Sequence, residues 1–164
     1  MPKHLLRPQG DFPSAGLVRR LAACFYDFLL CLALLLVLTL VYKGIQMGIY
    51  GEAQLKALSD AGALDGDPLL STLLFMSLFG FFAKFWTHGG QTLGMQVWNI
   101  RVQNADGSVI SLWQALLRFL VAIPSWLCLG LGFLWMLWDE DKRTWHDRYS
   151  DSRVVQLPKN VHKK

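Results

Sequence analysis

Charge is what this sequence lacks over long stretches. Between Leu21 and Tyr42 the only fully charged side chain is Asp27, and between Leu69 and Trp86 it is Lys84. Cysteine is scarce as well. Cys24, Cys31 and Cys128 are odd in number and all fall inside apolar runs, which argues against a disulfide framework or a cysteine-based metal site. His4, His88, His146 and His162 have no metal-ligand spacing, and no Ser or Cys stands in a recognisable nucleophile setting. His146-Asp147 resembles an acid/base pair, but adjacent side chains point apart unless the backbone turns. The chain therefore reads as a non-enzyme, with no catalytic residue, metal ligand or cofactor expected. The glycine-rich run His88-Gly-Gly-Gln-Thr-Leu-Gly94 lacks the Gly-Lys-Ser/Thr ending and the preceding strand of a phosphate loop. Asp65-Gly-Asp-Pro68 lacks the other ligand positions of a calcium loop and reads as an exposed turn.

What is present is apolar and clustered. The hydrophobic fraction is 53%, and it sits in long blocks with the charges between them. The first block, Leu21–Tyr42, is about 22 residues, or roughly 33 Å of helix, enough to cross a bilayer core. It exceeds the apolar core of a signal peptide and is expected to be retained. Three apolar segments are expected, at about 20–42, 69–86 and 112–138. The third would run roughly 40 Å as one straight helix. It contains Pro124, so it reads either as one tilted, kinked span or as a pair of helices broken at Pro124 that re-enters.

Between the blocks the pattern changes. Residues 1–14 read as a mobile tail, with Ser14 as the N-cap of the first helix. Gly44 to Pro68 is a polar interval with a short helical turn at Ala53–Leu58. Trp98, Ile100 and Val102 alternate with Asn99, Arg101 and Gln103, which predicts a strand. Asn104-Ala-Asp-Gly107 predicts a turn into a short return strand at Ser108–Ile110, and Ser152–Leu157 is also strand-like. The fold class is thus an all-α integral membrane protein carrying a small extramembrane β-hairpin or sheet. Its membrane domain is expected over 15–157, followed by a basic tail at 158–164.

The net charge of +4 comes from basic residues that flank the apolar blocks, and no basic stripe with interleaved aromatics points to nucleic acid. The lipid bilayer is the expected partner. If the third segment returns to the side it left, twelve Lys and Arg lie inside and two outside, with both termini cytoplasmic.

Two residues ahead of and within the first block ask for partners. A lone Asp27 at membrane depth costs several kcal/mol unless it faces protein, water or a cation. It reads either as part of a proton or cation path or as a structural ion pair, for example with Arg118; Lys84 and Arg20 are further partners. Arg20 has Ala23 and Cys24 at i+3 and i+4, so no carboxylate pairs with it within its helix.

The order and spacing of several motifs resemble the RDD family of bacterial membrane proteins. They are Ala15-Gly-x-x-Arg-Arg20-x-x-Ala23-x-x-x-Asp27, Gly90-Gln-Thr-Leu-Gly94 with Ile100-Arg-Val102, Asp106-Gly107, Ala115-Leu-Leu-Arg118, Arg143-Thr-Trp-His146-Asp147 and Val154-Val155. The resemblance implies that the signature arginine is Arg20, with Arg19 its rival, and that the signature aspartates are Asp27 and Asp147. Met95 stands where family members often carry Lys, which removes a cation from that loop. The resemblance implies a bacterial inner-membrane, multi-pass protein taking part in transport or ion exchange. Three apolar segments are few for a permeation path, so transport would need a homo-oligomer or a membrane-complex partner. A non-enzymatic scaffold or accessory subunit is the alternative. Asp147 stands among cations, and a pairing of Arg20 with Asp147 is expected to close the C-terminal segment over the start of the first span.

Overall fold

The computed structural model describes residues 4–62 and 66–158. The expected basic tail lies almost wholly outside these residues. The chain forms two compact units, Met1–Asp27 with Phe81–Lys164, and Phe28–Gly80.

Helix α1 spans Leu17–Tyr50, α2 Glu52–Asp60 and α3 Pro68–His88. Among the described residues, α1 and α3 are the two helices long and apolar enough to cross a membrane. Only 17% and 11% of their most apolar stretches are buried within the protein, so their Leu, Phe and Val side chains face outward, as lipid contact requires. α1 does not stop at Tyr42 as its apolar run does. Gly44 and Gly48 lie inside it, and it ends where Gly51 takes a left-handed φ of 74°. Isolated glycines cost a helix only about 1 kcal/mol each, too little to end one already supported by a long apolar stretch. α2 extends the expected turn to nine residues and buries none of them.

Within the second unit, Asp67 joins α1 to α3. Its Oδ1 accepts from the backbone N–H groups of Leu69 (3.0 Å) and Leu70 (3.3 Å), capping α3, and its Oδ2 accepts from the Tyr42 hydroxyl at 2.7 Å. The phenol hydrogen bond, chief among these, holds the Asp67 carboxyl below its ordinary range.

The first unit is built on a two-stranded antiparallel sheet, β1 (Ile100–Gln103) with β2 (Arg153–Gln156), in the register Arg101 opposite Val155 and Val102 opposite Val154. The chain before α1 extends it. The Ala15 N–H donates to Val154 O (2.9 Å) and the Gln156 N–H to Pro13 O (2.8 Å). Ser14 therefore bridges to Val155 rather than capping α1. Nor is the stretch from residue 4 a free tail. Leu6 is buried, and Arg101 donates to the carbonyls of Arg7 (3.0 Å) and Pro8 (3.2 Å). The Asn104–Gly107 turn forms, but Ser108 pairs with Leu5 and not with β1, so the expected return strand is replaced by the N-terminal arm. β2 takes the place that the hairpin would have filled.

The third apolar segment is a bent pair. α5 (Leu112–Leu127) starts in a capping box in which Ser111 and Gln114 bond each other's backbone. α6 (Leu131–Leu134), continued by a 3-10 turn at Trp135–Leu137, follows at 109° to α5. The break lies beyond Pro124, which remains inside α5. It falls at Leu129 and Gly130, both left-handed with φ of 53° and 78°. Proline removes one helical hydrogen bond, whereas two successive left-handed residues reverse the chain's course. Among the described residues there are thus two spanning helices, or three when this bent pair is taken as one span.

Candidate functional site

Two buried polar centres lie in the first unit. Each fixes residues that the sequence singled out, and each does so with partners far away in the chain.

The first centre is Asp147. It lies in α7 (Trp145–Tyr149), whose capping box pairs Thr144 with Asp147. The same carboxylate that closes this box accepts two arginines. Arg20 Nη1 donates to Oδ2, and Arg118 Nη1 donates to Oδ1 at 2.6 Å. All three residues are at most 3% exposed. Arg20 also donates from Nε to Ala15 O (2.9 Å) and from Nη2 to the carbonyls of Lys142 (3.2 Å) and Val154 (3.3 Å). Arg118 bonds Ser152 Oγ at 2.5 Å and lies 5.3 Å over the Trp86 ring. Burial alone would raise the Asp147 carboxyl. The Arg20 and Arg118 charges more than reverse this and hold it well below the usual carboxylate range. His146, its neighbour, is buried edge-on to Phe133 with ring centroids 4.8 Å apart, and burial pushes its imidazole down to about 3.

The second centre is Asp27. Thr92 Oγ1 donates to Oδ2 at 2.5 Å, and the Gly94 N–H donates to Oδ1 at 2.9 Å. The Thr92 oxygen accepts in turn from the Met95 N–H (3.2 Å), so it caps the short helix α4 (Leu93–Val97) while holding Asp27. The glycine-rich run is thus a seat for this carboxylate. Gly94 is required by closeness: a Cβ there would lie 2.8 Å from Asp27 Oδ1. Gly94→Ala is expected to lower stability by about 1–3 kcal/mol, seen as a lower thermal midpoint in detergent. Gly89→Ala, where nothing lies within 4 Å of the new methyl, is the matched control.

The structure brings Arg20, Arg118 and Asp147 together and leaves Asp27 apart from them. Asp27 and Arg118, the example of a structural ion pair, do not bond each other; Arg118 donates to Asp147 and Ser152. Arg19, the rival of Arg20, donates instead to Trp98 O at 3.3 Å. Lys84 is exposed. Thr92, Gly94, Thr144 and Ser152 were not legible as site residues. The one available signal was the Gly90–Gly94 motif itself, whose threonine and glycine had no other assigned duty.

None of the curated proteins and none of the solved structures compared with the chain matches it. Among protein families, the RDD family matches residues 14–151, most of the chain, from the segment before α1 to just short of β2, and so includes both carboxylate centres. With that match laid over two long apolar helices, the protein is a membrane protein, and the chain belongs to the RDD family.

Proposed function

We propose that this protein is a multi-pass protein of the bacterial inner membrane that takes part in transport or ion exchange, with Asp27 as the group that carries the exchanged charge. The observation that carries this reading is the contrast between the two aspartates. Asp147 is matched by two arginines, whereas Asp27, at 4% exposure in an apolar helix, forms no ion pair among the described residues. Its two donors are a hydroxyl and a backbone amide. A carboxylate so placed lowers its cost by taking a proton or a cation.

The sheet supports both termini on one side, since Pro13–Ala15, β1 and β2 bond to one another although apolar segments separate them in sequence. With the Lys and Arg count, that side is the cytoplasm. Two or three apolar segments enclose no pathway by themselves, so the transporting form is a homo-oligomer or a complex. The reading assigns no catalytic role, and His146 is packed against Phe133.

A second reading, a non-enzymatic scaffold or accessory subunit, is favoured by one observation. Both Asp27 oxygens are already occupied, as an anchor for the Thr92–Gly94 loop requires. Flux separates the two. Purified protein in liposomes under a pH or cation gradient is expected to move cations or protons, and Asp27→Asn, which keeps the shape and an acceptor, is expected to reduce flux to the leak of empty liposomes. A folded Asp27→Asn variant with undiminished flux, or a wild type with none, leaves the scaffold.

A further inference from the structure

The third apolar segment carries a surface that neither carboxylate centre uses. Beyond the 109° break, Leu131, Trp135, Leu137 and Trp138 are all exposed, Trp138 at 76%. A charged run from Asp139 to Arg143 follows at once. An apolar, tryptophan-rich strip that passes directly into charges is the pattern of a chain at headgroup level. α7 lies beside this strip, with the Trp145 ring 6.3 Å from that of Trp135. Between them opens a recess of about 550 Å³, lined by Trp135, Trp145, Tyr149 and Arg148.

Arg148 is the one cation in that lining. Its Nη1 bonds Asp139 Oδ1 at 3.0 Å. The other Asp139 oxygen accepts from the Arg143 N–H at 2.9 Å, so Asp139 does not depend on Arg148 alone. A guanidinium has five N–H donors, and Arg148 is half exposed, so donors beyond the Nη1 bond to Asp139 remain for a further acceptor. A recess with three aromatic walls and one cation matches a ligand that is apolar along its length and singly anionic at one point.

We propose that this recess binds a phospholipid by its headgroup, with the phosphodiester on Arg148 and the glycerol and upper acyl chains against Trp135 and Trp145. A phosphodiester carries one negative charge, which one guanidinium matches bidentately. A free phosphate would leave the aromatic walls uncovered. The exposed Leu131, Leu137 and Trp138 give the acyl chains a surface to continue along. The proposal rests on the membrane reading and not on transport, so lost flux and lost lipid retention are separate results.

The test is lipid retention by the full chain in detergent, read by native mass spectrometry and by thermal midpoint. Phosphatidylglycerol is compared with diacylglycerol of the same chains and with glycerol phosphate. Phosphatidylglycerol is expected to be retained and to raise the midpoint, and the other two are not. Arg148→Gln is expected to weaken retention about fivefold, the effect of removing one cation at a lipid surface, and Arg148→Lys, which keeps the charge without the paired donors, to restore part of it. Arg153→Gln, which makes the same charge change on β2, is expected to leave retention unchanged. Equal binding of diacylglycerol would overturn the proposal by removing the phosphate contact. Equal losses in Arg148→Gln and Arg153→Gln would overturn it in favour of diffuse attraction, and an equal shift from glycerol phosphate would leave a free-phosphate site.

Discussion

Replacing Asp147 with alanine is expected to be among the most damaging single substitutions, costing about 3–5 kcal/mol of stability in detergent, because it strands buried charges. Arg20 and Arg118 both donate to this carboxylate, and both are almost fully buried. The same side chain accepts from the Thr144 N–H at 3.2 Å, so α7 loses its capping box at the same time. Asp147→Asn keeps an oxygen for Thr144 but not the charge, and is expected to recover only the smaller part. Arg20→Ala should be damaging as well, since it also removes a donor from each of the carbonyls of Ala15, Lys142 and Val154. The two losses are not expected to add. A cycle of Arg20→Ala, Asp147→Ala and the double variant, read by thermal unfolding, should show a coupling of about 1–3 kcal/mol. Strictly additive losses would mean that Arg20 is held by its carbonyls alone. Because Asp147 has its pKa depressed in the folded state, its contribution is complete above the ordinary carboxyl value of about 4. It is lost only as the pH falls through the lower folded value.

The apolar helices were legible because a membrane-length run leaves a composition signal that no soluble element shares. Their ends were less so. The polar interval suggested that α1 stops near Tyr42, yet the helix carries Gly44 and Gly48 to Tyr50, since local breakers are weak against an established helix. Arg20 was legible as a residue needing a distant carboxylate, because no acid stands at its i+3 or i+4. The division of partners was not. Arg118 was offered to Asp27 on charge alone, but the hydrogen bonds that seat this carboxylate come from a hydroxyl and a backbone amide. Thr92 and Gly94 supply these from more than sixty residues away. The return strand failed for a similar reason. The turn at Asn104–Gly107 is local and forms, but which strand lies beside β1 depends on competing segments. The residues from His4 to Ser14 read as a tail because they are polar and contain two prolines, and nothing local announces that Arg101 grips their carbonyls.

The acid sensitivity of the fold is expected to come from His146. The imidazole is buried against Phe133, and its Nδ1 has no hydrogen-bond partner among the described residues. Burial is the main cause that pushes its pKa down to about 3. Asp147 pulls the other way, and Arg118 and Arg20 add to the depression. An unfolded chain would protonate this side chain near pH 6.5, so below that value the unfolded state binds a proton that the folded state refuses. The contribution of neutral His146 is therefore complete above about pH 6.5 and is lost progressively toward pH 3. The slope is about 1.4 kcal/mol per pH unit, or roughly 3 kcal/mol by pH 4. Asp147 does not obscure this window, because its own contribution is untouched until the pH falls below about 4. His146→Phe keeps a ring of similar breadth against Phe133 and removes the titration. It is expected to flatten the dependence of the thermal midpoint on pH between 7 and 4, with little change at pH 7.5. A wild-type midpoint that does not fall over that range, or a His146→Phe midpoint that falls as steeply, would place the acid-sensitive group elsewhere.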